Sequence, residues 1–172
     1  MIVRQTEAED CAALAGFARW TYTKAFGGSF SPGDLEHHLR DKLSDAYFRA
    51  AMREDVFLIA ENESRLIAFV QFGTARGERA AANYCELRRL YVHPEFQNRG
   101  IGSRLLDAAL AHPHLEAASA VFIEVWEHNH GARALYERYG FAIIGSRKFA
   151  VASGAPTSSD LIMVRRKPPA RG

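Results

Sequence analysis

Apolar and polar positions follow two different rhythms along this chain. The first third keeps a helical period. Leu14, Phe17 and Thr21 fall on one face of a helix that should run to about Phe26, after a short strand over residues 2–4. Thr6 with Glu9 three residues on gives the capping-box pattern at its start. The stretch GGSFSPGD then breaks the chain. Ser31 as N-cap with Pro32 at the first helical position opens a second helix, and Ser44 caps a third through Tyr47, Phe48 and Met52. From residue 56 the rhythm changes to strands. Residues 56–61 and 66–73 are apolar runs joined by the polar turn NESR, a hairpin signature. The run YCELRRLYV is the next strand, followed by a glycine turn and a helix to about Ala111. AVFIEVW reads as a buried strand. HNHGARALYERYGF reads as a helix with Ala132, Leu135, Tyr136 and Tyr139 on one stripe and Gly140 at a left-handed C-cap. Residues 141–144 and 161–164 close the set as strands, and RRKPPARG is a polar tail expected to be disordered. The order predicts a mixed sheet flanked by helices, an α/β domain over residues 1–167 with a tail over 168–172.

One strand changes phase. In YCELRRLYV, Cys85 and Leu87 are apolar at odd positions, whereas Leu90 and Val92 are apolar at even ones. Side chains alternate faces along a strand, so one extra residue between Leu87 and Leu90, a β-bulge, restores the phase. A strand buried on both faces is the other reading. A bulge leaves backbone groups unpaired and available to a ligand.

Composition narrows the classes. With 172 residues the chain is long enough for one well-cored domain, and 48% apolar with 24% charged residues is an ordinary globular balance. A net charge of +2 gives no electrostatic footprint for nucleic acid. The start turns polar at once and no apolar run is long enough for a bilayer, so a cytoplasmic protein with no membrane partner is expected. Cys11 and Cys85 are too few for a disulfide framework. The histidine pairs at 112/114 and 128/130 bring no further ligands with them, so no metal is expected.

The chemistry concentrates in HPEFQNRGIGSRLL, residues 93–106. Gly100 and Gly102 let backbone approach a ligand closely, and the helix that follows carries free N–H groups and a partial positive charge that suit phosphate. A dinucleotide fingerprint is incomplete here, because Leu105 stands where its third glycine belongs.

With those residues in view, the chain resembles the GCN5-related N-acetyltransferase (GNAT) family. The family's Arg/Gln-x-x-Gly-x-Gly/Ala motif stands as Gln97, Asn98, Arg99, Gly100, Ile101 and Gly102. LRRLYVHPEF is similar to its bulged strand and turn, and EVWEHNHGARALYERYGF to its second motif, with Asn129, Ala132, Leu135, Tyr136, Gly140 and Phe141 at matching positions. A further likeness, through TYTKAFGGSFSPGDL and FAVASGAPTSSDLIM, is to a bacterial subgroup that includes spermidine/spermine N-acetyltransferases. That subgroup carries Gln-Thr-Asp before Leu-Ile-Met; here Asp160 is kept and the Gln-Thr pair is not.

The resemblance implies a mixed, mostly antiparallel sheet of six to seven strands and acetyl-CoA as cosubstrate. Its pyrophosphate would lie on backbone N–H groups from Asn98 through Ser103, its thioester at Leu90, Tyr91 and Val92, and its pantetheine arm near Asn129 and Ala132. Acyl transfer to an amine needs a proton acceptor, because an alkylammonium has a pKa of about 10.4, and an acid for the leaving thiolate. Tyr136 is the implied acid. Glu124, in a setting similar to that of ribosomal-protein alanine acetyltransferases, and Glu86, on the adjacent strand, are the alternative bases, with neither as a third option. Asp34, Glu36, Asp41 and Asp45 are candidates to greet a cationic acceptor. The implied reaction is acetylation of a small-molecule amine, a polyamine among the candidates. A protein or peptide acceptor and a non-catalytic CoA-binding module are the alternatives. The family often forms homodimers.

Overall fold

The computed structural model describes residues 1–80, 83–149 and 158–167. Seven strands build one sheet: β1 (Ile2–Gln5), β2 (Val56–Asn62), β3 (Arg65–Thr74), β4 (Tyr84–Val92), β5 (Ala120–Trp126), β6 (Ala142–Phe149) and β7 (Ser158–Arg166). Their order is β1-β2-β3-β4-β5-β7-β6. Every pairing is antiparallel except β4 with β5. That parallel pair needs a crossover, supplied by α4 (Ile101–Leu110) and the short α5 (Pro113–Glu116).

Strand alternation divides the core between the two faces. Leu58, Ala60, Val70, Leu87, Ile123 and Val125 pack with Leu105, Leu106 and Ala109 of α4. Tyr136 of α6 (His130–Arg138) joins this face. Their neighbours Phe57, Ile59 and Phe69 point the other way. They pack under Leu14 and Ala18 of α1 (Cys11–Phe26), under Leu43, and under Phe48 of α3 (Asp45–Ala51), with Leu35 and Leu39 of α2 (Pro32–Lys42) at the margin.

The phase change in β4 is a bulge. Gln71 pairs with Arg89 and Phe72 with Leu87, so Arg88 is the extra residue. After it Leu90 and Val92 rejoin the α4 face, while Tyr91 packs on the α1 face. β4 and β5 pair only over Tyr84–Leu87 and Ala120–Ile123. Beyond that point β4 runs on with β3 and β5 runs on with β7, so the sheet splays open between them.

Local details differ from the sequence reading in four places. The first cap forms one residue late, on Glu7, whose N–H donates to the Asp10 carboxylate at 2.8 Å, rather than on Thr6 with Glu9. α5 was not foreseen, because a single turn carries no period; His112 caps it by accepting from the His114 N–H at 3.2 Å. β6 and β7 run longer than their apolar cores, since pairing extends through polar residues such as Arg147 with Asp160. Arg165 and Arg166, read as tail, therefore close β7 opposite Val121 and Ala120. The proposed tail at 168–172 lies outside the described residues. No described helix is long and apolar enough to cross a membrane.

Candidate active site

The splay opens into a cavity of about 430 Å³. Glu86, the bulge from Leu87 to Tyr91, Glu124, Asn129, Ala132 and Tyr136 all line it. Residues proposed for three different roles, on β4, β5 and α6, thus meet in one space. Val92 and the turn from Gln97 to Ser103 lie outside it, at the end of β4 and the start of α4.

The turn is built to present backbone. Asn98 and Gly100 hold φ of 58° and 77°, a left-handed conformation that glycine takes freely and asparagine tolerates. Gln97 braces it by donating from Nε2 to the Val92 carbonyl at 3.1 Å. The N–H groups of residues 98–103 find no acceptor among the described residues, and the first inward bond of α4 is from Arg104 to Gly100 at 3.0 Å. Gly102 keeps the helix close to α6, since a Cβ there would lie 3.3 Å from Leu135 Cδ2. Six consecutive free N–H groups at a helix start fit a diphosphate. Arg99 and Arg104 are exposed beside them.

Tyr136 is 4% exposed and packs edge-on against Phe141 at 5.8 Å. Its hydroxyl makes no hydrogen bond among the described residues, and the residue lines the cavity. Burial, with Tyr91 nearby, raises its pKa well above the usual tyrosine value, so the group keeps its proton. Asn129 caps α6, accepting from the Ala132 N–H at 3.1 Å.

Neither glutamate is alone. Arg79, in the single turn Gly77–Arg79 that leads into β4, reaches both: Glu86 at 3.3 Å and Glu124 in a tight ion pair. Arg88 closes on the other side of Glu86, and Arg147 on the other side of Glu124. Arg88 also binds Asp55, whose side chain is 1% exposed, at 2.9 Å. Asp55 in turn takes Gln71 Nε2 at 2.7 Å and Arg76 at 3.1 Å. A chain of alternating charge therefore runs from Asp55 to Arg147 under the cavity.

Apart from Asp160, kept from the subgroup's Gln-Thr-Asp turn, the cavity's far wall had no motif to announce it. Tyr22, Phe26 and Phe30 come from α1 and the segment after it, His38 and Lys42 from α2, Tyr47 from α3, and Trp126, Arg147 and Asp160 from the strands. Tyr22 stacks on His38 at 4.4 Å, and Phe26 meets Trp126 edge-on at 5.6 Å. The acidic candidates of α2 and α3 do not reach it: Asp41 pairs with His37 and Arg40, Asp45 with Arg19, and neither Asp34 nor Glu36 lines it. Those residues read as a patch in sequence but face outward in three dimensions.

Comparison with known proteins agrees with this architecture. The chain is 28% identical to an uncharacterized N-acetyltransferase, YhfO, of Bacillus subtilis, over 82% of this chain and 89% of that one. It is 31% identical to a spermidine N(1)-acetyltransferase of Thermoplasma acidophilum, over 60% and 65% of the two chains. A crystal structure of PaiA N-acetyltransferase from Thermoplasma acidophilum in complex with coenzyme A superposes with a TM-score of 0.77 at 24% identity, covering 96% of this chain and 98% of that one. The model of the acetyltransferase (GNAT) family matches residues 17–141, most of the chain. The chain belongs to the acetyltransferase (GNAT) family.

Proposed function

We propose that the protein is an acetyl-CoA-dependent N-acetyltransferase that acylates a small-molecule amine by direct attack in a ternary complex. The observation that carries this is the single cavity at the sheet's splay, where the bulge, Tyr136 and the two glutamates converge beside a helix start rich in free N–H groups.

The proposed roles follow from position. Backbone N–H groups from Asn98 to Ser103 hold the diphosphate, with Asn129 and Ala132 along the pantetheine arm. Past Leu87, the β5-facing backbone of β4 has no strand partner, and its N–H groups at Leu90 and Val92, on either side of Tyr91, whose own N–H faces β3, stabilise the carbonyl oxygen as it gains charge. The amine nitrogen attacks the thioester carbon, the C–N bond forms and the C–S bond breaks. Tyr136 gives its proton to the departing sulfur. The amine's own proton leaves through water to Glu124, with Glu86 as the competing acceptor. The arginines on each glutamate fix where its oxygens point.

A polyamine belongs among the acceptors to be assayed, since one relative is named for spermidine. The test is CoA thiol release from acetyl-CoA across an amine panel. Acceptor-dependent release is expected. Binding of acetyl-CoA without release by any amine overturns the proposal in favour of a non-catalytic module.

A further inference from the structure

The cavity is electrically two-ended. At one end lies Asp160, in register with Trp126 on β5 and Arg147 on β6. Its carboxylate makes no hydrogen bond or ion pair among the described residues, although it borders the cavity and is partly buried. The neighbouring carboxylate, Glu124, is already engaged by Arg79 and Arg147. At the other end lie Arg89 and Lys42. Arg89 donates to Gln71, to the Tyr47 hydroxyl at 3.0 Å and to the Lys42 carbonyl at 3.2 Å, all uncharged acceptors. Neither Arg89 nor Lys42 has a carboxylate partner among the described residues. Tyr22 stands between the ends, its hydroxyl within electrostatic reach of both Arg89 and Asp160.

From this arrangement we infer that the acceptor is a zwitterion: an amine that carries its own carboxylate or similar oxyanion, its ammonium held at Asp160 and its anionic group at Lys42 and Arg89. The inference rests on the acetyltransferase reading above and names its substrate class. A partly buried charge without a direct ion-pair partner is costly, and a ligand that supplies one to Asp160 and another to Arg89 lowers both costs together. The aromatic wall of Tyr22, Phe26 and Trp126 adds a π-face for the cationic end. A polycation meets only half of this pattern, because its second ammonium faces Lys42 and Arg89. The titration of two side chains agrees. His38, beside Arg89 and Lys42, is pushed down to about 4 by burial and by those two cations. Asp160 is pushed up from the usual carboxylate value by burial and by Glu124. The Lys42–Arg89 end therefore carries an excess of positive charge, while at the other end Arg147 opposes the effect of Glu124 on Asp160.

The experiment compares amino acids with the same amines lacking the carboxylate: L-phenylalanine with phenethylamine, L-leucine with isoamylamine, and spermidine beside them. Thiol release gives kcat/KM, corrected to the concentration of unprotonated amine, because a carboxylate next to an amine lowers its pKa. Each amino acid should exceed its partner amine by roughly 10-fold or more, the scale of one charge-assisted contact. In Lys42→Met, an exposed position, that ratio should fall toward unity. In Asp160→Asn, KM should rise for every acceptor. Ratios at or below unity in the wild type, or spermidine outrunning every amino acid, overturn the zwitterion while acetyl transfer stands. Absence of thiol release with every acceptor, on protein that binds acetyl-CoA, overturns the acetyltransferase reading and this inference with it.

Discussion

Tyr136 illustrates how much one hydroxyl can be asked to do. Its ring is buried in the core between α6 and the sheet, and the residue lines the cavity. Tyr136→Phe keeps the ring and removes the proton. Turnover should fall by roughly 10²–10⁴-fold with little change in CoA affinity; a wild-type rate in a chemistry-limited assay would return the residue to the core. The glutamates call for a paired experiment. Glu124→Gln keeps the shape and should depress turnover most near neutral pH, recovering in part in alkali where free amine is abundant. Glu86→Gln should lose less, and the reverse order of the two pH–rate curves would exchange their roles. At this scale the sequence was legible where a motif exists. Gly100 turns the chain at the start of α4 with Gln97 bracing it, Asn129 caps α6, and Tyr136 lines the cavity, each a local geometry its pattern leads one to expect. It was silent on Arg79, which joins both candidate bases from a turn with no motif, and on Tyr22, Phe26 and His38, whose helical spacing is that of any packed face.

Elements show why the glycine turn and the bulge work as a pair. The bulge at Arg88 was legible because strand parity is strict, and one broken alternation has few remedies. The turn after β4 was legible because its backbone conformation needs glycine. Gly100 has open space where a Cβ would stand, so what bars other residues is its φ of 77°, not a clash. A non-glycine residue there costs roughly 1–2 kcal/mol, which a domain of this size survives. Gly100→Ala should therefore cost stability and modest CoA affinity. Gly100→Glu should add a negative charge at the free N–H groups and abolish measurable CoA binding on folded protein. Calorimetry separates the two, and equal affinities in both variants would show that no anion lies there. Strand lengths were less legible. β6 and β7 pair far beyond their apolar centres, and backbone hydrogen bonding of that kind leaves no trace in hydropathy.

For the whole molecule, buried side chains titrate at opposite extremes. His38, on the acceptor side, has a folded pKa of about 4 against an ordinary 6.5. The unfolded chain takes that proton first, so stability from this group is present above pH 6.5 and is lost as pH falls toward 4. His38→Gln should show a smaller drop in melting temperature between pH 7 and 5 than the wild type; parallel curves would refute the assignment. Tyr136 and Tyr22 work in the opposite sense. Both are raised by burial, so above about 10 the unfolded chain ionises first and stability falls as pH rises further. The fold class and the mixed sheet were readable from element order, whereas the strand order and the parallel β4–β5 pair depend on long-range pairing that no local pattern encodes. The sheet also divides the labour of recognition. The turn proposed for CoA and Tyr136 sit with α4 and α6 on one side, while the aromatic wall is furnished largely by α1 and α2 on the other. On the proposed roles the molecule is a fixed socket with a replaceable faceplate: substitutions in the two first helices should retune which guest is admitted, and the machinery proposed to deliver the acyl group need not change with them.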